Sequence, residues 1–499
     1  MRTLKWTAAR YIQIHFLMAR MHANRNEDGT LKQIDFGGHA RSRSSSQTNK
    51  CAARYNDDLV TGITTIEMPD GSKVPQTVPS KKHLTNVLKA LAAEPGDENL
   101  KKRVVTAIYK KLVGEQNSKG KADKKNAEDA AQLTKTQDQI AKLKEEIAAE
   151  TDAKKKNQRE RYLAAAQNRE QKLKGDIREA GGQVDEGESE AESAELDNDL
   201  QTKQMLILSP SETARLTDLA QRALRLVLGA PADKPKDEFT AAKEVVNAFK
   251  RESGEWKTLR LGCGIQAAVF GRPAYNSDLT QTVEHAAVGY AHLVSVHEQA
   301  VAYDTFTAID RLVEQNTMTG AGMFGEQPIS WAFFYGYVYI DTRTLLKNIE
   351  AGEVTESEIA AEVVRRLILT TNAVQPHTKE GSLASKNRTA LLLVEVGNAQ
   401  PANLSDAFLE PIQVDDDHPD MKTNTFDRLA KFIEVRGKGD SLWNENKRAM
   451  QIENLNPTHL TTVVPTVLSI QDLAEWAVAT ANGEVTEPKK ANGHKVTGA

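Results

Sequence analysis

Residues 24–54 read NRNEDGTLKQIDFGGHARSRSSSQTNKCAAR, and the rest of the chain is best read outward from this stretch. Phe36-Gly37-Gly38 permits a tight backbone, because two glycines reach dihedrals closed to other residues. Arg41 and Arg43 stand two apart, so on an extended segment they project from the same side. Ser45, Ser46 and Gln47 lead into TNKCAAR, which reads as a helix. A serine there can cap the helix, and the free N–H groups of its first turn form a ready anion site. Lys50 and Arg54, four apart, share one helix face. Together these residues form a phosphate-gripping constellation. On the residues alone, a surface turn with solvated charges is an equally open reading.

Upstream, Tyr11–Leu17 alternates. Ile12, Ile14 and Phe16 point one way while Tyr11, Gln13 and His15 point the other, which predicts a half-buried strand. Downstream the period becomes helical at His83–Ala93 and Leu100–Val113, broken by Pro95-Gly96. Lys119–Arg178 is rich in Lys, Glu, Ala and Gln, with Leu133, Ile140 and Ile147 seven apart and Leu143 in the other seam. That spacing predicts long exposed helices with short coiled-coil packing. An acidic linker follows over 179–204, and helices resume at Ser211–Leu228, after a capping Ser209-Pro210, and at Glu238–Arg251. Past Trp256 the strand candidates are Ile265–Phe270, Phe333–Ile340 and Ala390–Val396. The helix candidates are Thr282–Ala300, Leu345–Ile349 and Glu356–Leu369. The pattern predicts an α+β fold, with a helical domain inserted into a discontinuous α/β core.

The composition narrows the function classes. Charged residues make up 27% and the formal net charge is −4, which taken whole argues against a nucleic-acid binder. The distribution reverses that argument. Residues 179–199 hold nine acids and no base, whereas Arg20–Arg54 holds seven bases against three acids. An acidic tract therefore hides a local basic face in the sum. Two cysteines, Cys51 and Cys263, far apart, exclude a disulfide framework or a paired-cysteine zinc site and suit a reducing cytoplasm. No stretch is long and apolar enough to span a bilayer, so no membrane association is expected.

The order FGG-x-x-R-x-R-x-S-S-Q-x-x-K-x-x-x-R, preceded by Asn24-Arg25, resembles the N-terminal signature of the CasC-type backbone subunit of Cascade, the type I-E CRISPR surveillance complex (a RAMP-superfamily protein). Further blocks agree in order: CGIQAAVFGRP, VEHAAVGYAHLVSVHEQAVAYDTFTAIDRL, TGAGMFGEQPISWAFFYGYVYID and LLLVEVGNAQPANLSDAFLEPI, with a weaker echo at Pro465–Ala477. They cover roughly 11–56 and 258–413. The chain departs from the pattern at His39, Ser44 and Cys51, and its 115–205 segment is longer and more charged than the family's finger helices.

The resemblance implies a right-hand shape. A modified RRM-like, ferredoxin-like palm would use residues 1–56, 258–310 and 334–480. Helical fingers would occupy 57–257, a thumb 311–333 and a disordered tail 481–499. It further implies a non-enzymatic cytoplasmic protein without cofactor or metal that oligomerises along a CRISPR RNA and presents its bases to a target DNA strand. Its partners would be other copies of itself and the large, small, end-capping and guide-processing Cascade subunits. Arg25, Arg41, Arg43, Lys50 and Arg54 would contact phosphate, and Ser45, Ser46 and Gln47 would add hydrogen bonds. Gly322, Met323 and Phe324 would form the thumb tip, with the two apolar residues wedging against bases or a neighbouring subunit.

Other signals carry less. Gly320–Gly325 matches G-x-G-x-x-G but follows a helical segment and leads into a strand, the reverse of a dinucleotide site. His285, His292 and His297, read as lying on one helix, do not converge on a metal by spacing. Tyr335, Tyr337 and Tyr339 share a strand face and read as sheet packing ahead of base stacking, and Asp415–Asp417 with His418 as a solvated loop. Two rival functions remain: an RNA-cleaving type III-like backbone subunit using Asp28 or Asp35, and a scaffold built on the 119–178 helices.

Overall fold

The computed structural model describes residues 8–484 except 22–23, 27–28, 69–70, 114–199, 203–204, 232, 253–262, 273–284, 309–322, 350–354, 374–375, 377–379, 385, 415–419 and 454–457. The expected long helices over 119–178, the acidic linker through residue 199, Gly320, Gly322, Asp28, Asp415–His418 and residues 485–499 of the expected tail lie outside the described residues.

Among the described residues twelve strands form: β1 (Tyr11–Met21), β2 (Gln33–Phe36), β3 (His39–Ser44), β4 (Val78–Ser80), β5 (Leu206–Leu208), β6 (Val288–Tyr290), β7 (Leu293–Ser295), β8 (Ala302–Ala308), β9 (Met323–Ile329), β10 (Trp331–Asp341), β11 (Thr389–Gly397) and β12 (Lys447–Ile452). The helices are α1 (Ser46–Arg54), α2 (His83–Ala90), α3 (Glu98–Val113), α4 (Pro210–Leu228), α5 (Glu238–Glu252), α6 (Ile265–Phe270), α7 (Thr342–Ile349), α8 (Thr355–Ala373), α9 (Glu380–Leu383), α10 (Met421–Gly439), α11 (Thr458–Val463) and α12 (Ile470–Ala481).

The main sheet runs β12-β11-β1-β10-β7-β3-β2, with β6 also on β10, and every pairing is antiparallel. In register, Ile12, Ile14 and Phe16 lie beside Ile340, Val338 and Gly336 on one flank and Val396, Val394 and Leu392 on the other. This face packs under α6, α7, α8 and α12. The half-buried expectation for β1 is corrected: its second face is buried too. Leu17, Phe333, Tyr335, Tyr337, Leu391, Leu393 and Met450 pack there against α10 and α11. Gln13 and His15 are buried within that face because each has partners. Gln13 Oε1 accepts from Tyr337 OH (2.7 Å) and Ala402 N (2.7 Å). His15 bonds Tyr335 OH (2.9 Å) and Glu395 (3.4 Å). Buried polar groups on a sheet are tolerated when so satisfied.

A second core joins α2, α3, α4, α5 and β5 into a helical layer, with Leu84, Val104, Ile108, Leu219, Leu224 and Phe249 at its centre. Helix α4 begins as its sequence predicts. Ser209 Oγ accepts from Glu212 N (3.1 Å) and Glu212 returns the bond to Ser209 N (2.9 Å), forming a capping box with Pro210 at its start.

Two expectations fail. Ile265–Phe270 is a fully buried helix, bracketed by Gly264 (φ 80°) and Gly271 (φ 68°), not a strand. Within Thr282–Ala300 the described residues hold β6 and β7 rather than a helix. Pairing with β10 overrides the local preference, and Gly289 leaves room for the Tyr339 ring, with which a Cβ would collide.

Candidate nucleic-acid interface

Strands β2 and β3 are joined by Gly37 (φ 66°) and Gly38 (φ 78°), the two-residue turn that needs left-handed backbone at both positions. Asp35 Oδ1 accepts from Gly38 N (3.2 Å), so this carboxylate closes the turn. A Cβ on Gly37 would collide with the carbonyl of Leu409, so the hairpin tip sits directly on that backbone.

From β3 the chain turns into α1. Ser45 caps the helix by accepting from Thr48 N (3.2 Å). Asn24 ties the upstream segment to the same turn: its Oδ1 accepts from Ser45 N (3.3 Å) and its Nδ2 donates to Thr48 Oγ1 (3.4 Å). Beneath, Arg20 is buried and donates to Asn49 Oδ1 (3.1 Å) and Ser44 Oγ (3.3 Å), with no carboxylate among the described residues paired to it. Burial pushes its guanidinium down to about 10, which leaves it cationic at neutral pH. Ser46 N donates to His292 Nδ1 (2.9 Å), so that imidazole nitrogen is an acceptor. Burial, then Arg43 and Lys32, push His292 below the ordinary histidine value, consistent with a neutral ring.

The predicted phosphate ligands meet different fates. The Arg41 side chain is buried, and its guanidinium donates to the carbonyls of Ser295 (2.8 Å), Phe408 (2.9 Å) and Leu409 (3.0 Å). Arg25 is half-buried and donates to Gly29 O (3.1 Å) and Pro328 O (2.6 Å), linking its loop to β9. Arg43, Lys50 and Arg54 are half-buried, and among the described residues no carboxylate lies within ion-pair distance of any of them. Burial, then the field of Arg54, lowers Lys50 from the usual lysine value. Arg54 lies 5.4 Å over the Phe270 ring. Ser45, Ser46 and Gln47 stay together in the first turn, with Gln47 Oε1 accepting from both serine hydroxyls (3.2 and 3.4 Å). His39 pairs with Glu298 (2.5 Å) at the hairpin end.

Sequence reasoning missed two members of this cluster, Lys32 and His292. Lys32, whose carbonyl accepts from Arg43 N (3.0 Å), lines one narrow cleft with Arg20, Asn24, Ser42, Arg43 and Ser330, a lining free of acids. His292 arrives from the link between β6 and β7. The Lys32 signal lay in the sequence, since strand pairing across a Gly-Gly turn brings residues before and after it together.

Beside the cluster, β8 and β9 form a two-stranded ribbon separate from the main sheet, beginning at Ala302. Alternation places Tyr303, Phe324 and Pro328 on one face and Phe306 and Met323 on the other. Tyr303 (68% exposed), Met323 (57%) and Phe324 (72%) are uncovered. At its root the His297 ring stacks on Trp331, centroids 6.0 Å apart. Tyr335 and Tyr337, by contrast, are buried sheet packing. No three histidines, cysteines or acids converge as metal ligands among the described residues, nor is any described helix long and apolar enough to cross a membrane.

The family model described as "CT1975-like protein" matches residues 12–189 and 179–476, nearly the whole chain. The chain belongs to the CT1975-like family. Its fold is similar to that of a chain in a solved "CRISPR RNA-guided surveillance complex, pre-nicking" (TM-score 0.59, 18% identity, 94% of this chain and 100% of that one). It is also similar to a chain of a second "CRISPR RNA-guided surveillance complex" (TM-score 0.52, 16% identity, 94% and 99%). At these identities the likeness is one of fold. A comparison with curated proteins finds no match. The CT1975-like match takes in the hairpin, α1, the described helical layer, the ribbon and the main sheet together.

Proposed function

We propose that this chain is a non-catalytic, guide-RNA-binding backbone subunit of a CRISPR surveillance complex, of the type I-E pattern that its motifs resemble. The observation that carries the reading is the set of cations around α1. Among the described residues Arg43, Lys50 and Arg54 stand without carboxylates, next to an acid-free cleft holding Lys32 and a ribbon that exposes Tyr303, Met323 and Phe324. Uncompensated cations beside uncovered aromatics suit a single-stranded polyanion, whose phosphates supply charge and whose bases supply faces for stacking. In this reading the sheet with its flanking helices is an RRM-like palm, the α2–α5 layer the base of the fingers and the ribbon the thumb. Copies line up along the guide, and target DNA is read by base pairing to it rather than by the protein.

The test is co-expression with a CRISPR RNA, followed by size exclusion with the 260/280 nm absorbance ratio recorded on the particle. The reading expects an RNA-rich particle that loses its RNA in the Arg43→Ala/Lys50→Ala/Arg54→Ala variant. RNA retained by that variant, or regular cuts in a complementary RNA that vanish in Asp35→Ala, would overturn it.

A further inference from the structure

Arg41 sits at the centre of the RNA-binding motif and yet faces inward. Its three acceptors belong to two distant segments: Ser295 ends β7, while Phe408 and Leu409 close the loop that follows β11. Those segments are bonded to each other, since Ile412 N donates to Val296 O (2.8 Å), and to β3, since Gln299 N donates to Ala40 O (2.9 Å) and Ser42 N to Ser295 Oγ (3.0 Å). The loop is in turn fixed to the sheet interior. Leu404 N donates to Tyr335 OH (2.9 Å), Ala402 N donates to Gln13 Oε1, and the Phe408 ring packs 5.4 Å from Tyr335. Gly37 meets the same Leu409 backbone from the hairpin tip, with no room for a side chain. A continuous path therefore runs from the buried Gln13 and Tyr335, through residues 402–409, to Arg41 and Gly37, and so to the strand that carries Arg43 and leads into α1.

We infer that Arg41 is a positioning residue for RNA binding: it takes no phosphate, but docks the β2–β3 hairpin on the 402–409 loop so that Arg43, Lys50 and Arg54 address one strand. The inference rests on the RNA-binding reading above. Three carbonyls in fixed directions suit the planar guanidinium fork and not an ammonium, so Lys at this position keeps the charge but loses the docking.

The experiment titrates the full chain against a fluorescein-labelled single-stranded RNA at several salt concentrations, with circular dichroism confirming the fold of each variant. Losing one phosphate contact lowers the salt slope by about 0.7 for a single strand. Lys50→Ala is expected to show that drop. Arg41→Lys and Gly37→Ala are both expected to weaken binding by about tenfold with the slope unchanged. Gly37→Ala leaves Arg41 in place and decides the matter if Arg41 variants do not fold. Arg41→Lys binding like the parent, a lowered slope in Arg41→Ala, or unweakened binding in Gly37→Ala would overturn the inference. Lys50→Ala and Arg54→Ala leaving affinity and slope untouched would instead remove the RNA reading beneath it.

Discussion

Where the sheet meets the helical layer, Arg272 grips Glu212 with two prongs (2.6 and 2.7 Å), both side chains almost fully buried, and adds a bond to Ile207 O (3.0 Å). Glu395, buried in the sheet, likewise receives Arg448 (2.5 Å), Trp443 Nε1 (3.3 Å) and His15. Around α1, Arg43, Lys50 and Arg54 face no acid among the described residues, though burial disfavours the charge on Lys50. The Arg272–Glu212 and Arg448–Glu395 pairs are closed internally, whereas this half-buried group, among the described residues, is left open to a counter-charge from outside.

The largest effect that would break this contrast is at the balanced end. Arg272→Ala strands a buried carboxylate and is expected to cost about 3–5 kcal/mol in urea unfolding. A loss within about 0.5 kcal/mol, the range of ordinary surface substitutions, would show that pairing does not separate the two regions.

Glu395 gives a pH test. Burial by itself would push its carboxyl up, but the hydrogen bonds and fields of His15 and Arg448 outweigh that and hold it below the usual value. A depressed acid stabilises the fold above its unfolded value, about 4.3, and loses that contribution as pH falls through the lower folded value. Thermal melts of Glu395→Gln are therefore expected to show a flatter acid limb than the parent.

Lys50 is expected to behave oppositely. Its value is lowered by burial and by Arg54, so the native state sheds this proton first. Stability then rises with pH through the folded value until the ordinary lysine value, about 10.4, is passed. Lys50→Gln should remove that rise and leave the neutral-pH melting temperature equal or higher; a clear drop would mean that Lys50 is structurally paired. The smallest effect belongs to the ribbon: Phe324→Ala should stay within about 0.5 kcal/mol of the parent, because the ring is uncovered.

What the sequence revealed follows physical range. Strands β1, β10 and β11 were legible because their apolar residues alternate or run without a break, and α4 because its capping box is local. Ile265–Phe270 was not legible, since a short run that is buried on all sides shows no period to separate helix from strand. The β6–β7 segment looked helical because its pairing partner lies about forty to fifty residues further on, in β10. Within the site, the Ser45 cap and the Lys50–Arg54 face came from local spacing. The inward direction of Arg41 was not legible because its acceptors lie 254, 367 and 368 residues away, where no spacing rule reaches. The shared cause is that side-chain direction on β3 is decided by the loop packed against it.

The most direct test of the central claim is ultraviolet cross-linking of the full chain to a 4-thiouridine-substituted guide RNA, with the linked peptides identified by mass spectrometry. Links are expected on the peptides carrying Arg43–Arg54 and Met323–Ile329, because the unpaired cations and the uncovered aromatics lie there. Links confined to the α2–α5 layer or to α10, with those two peptides unmodified, would contradict it.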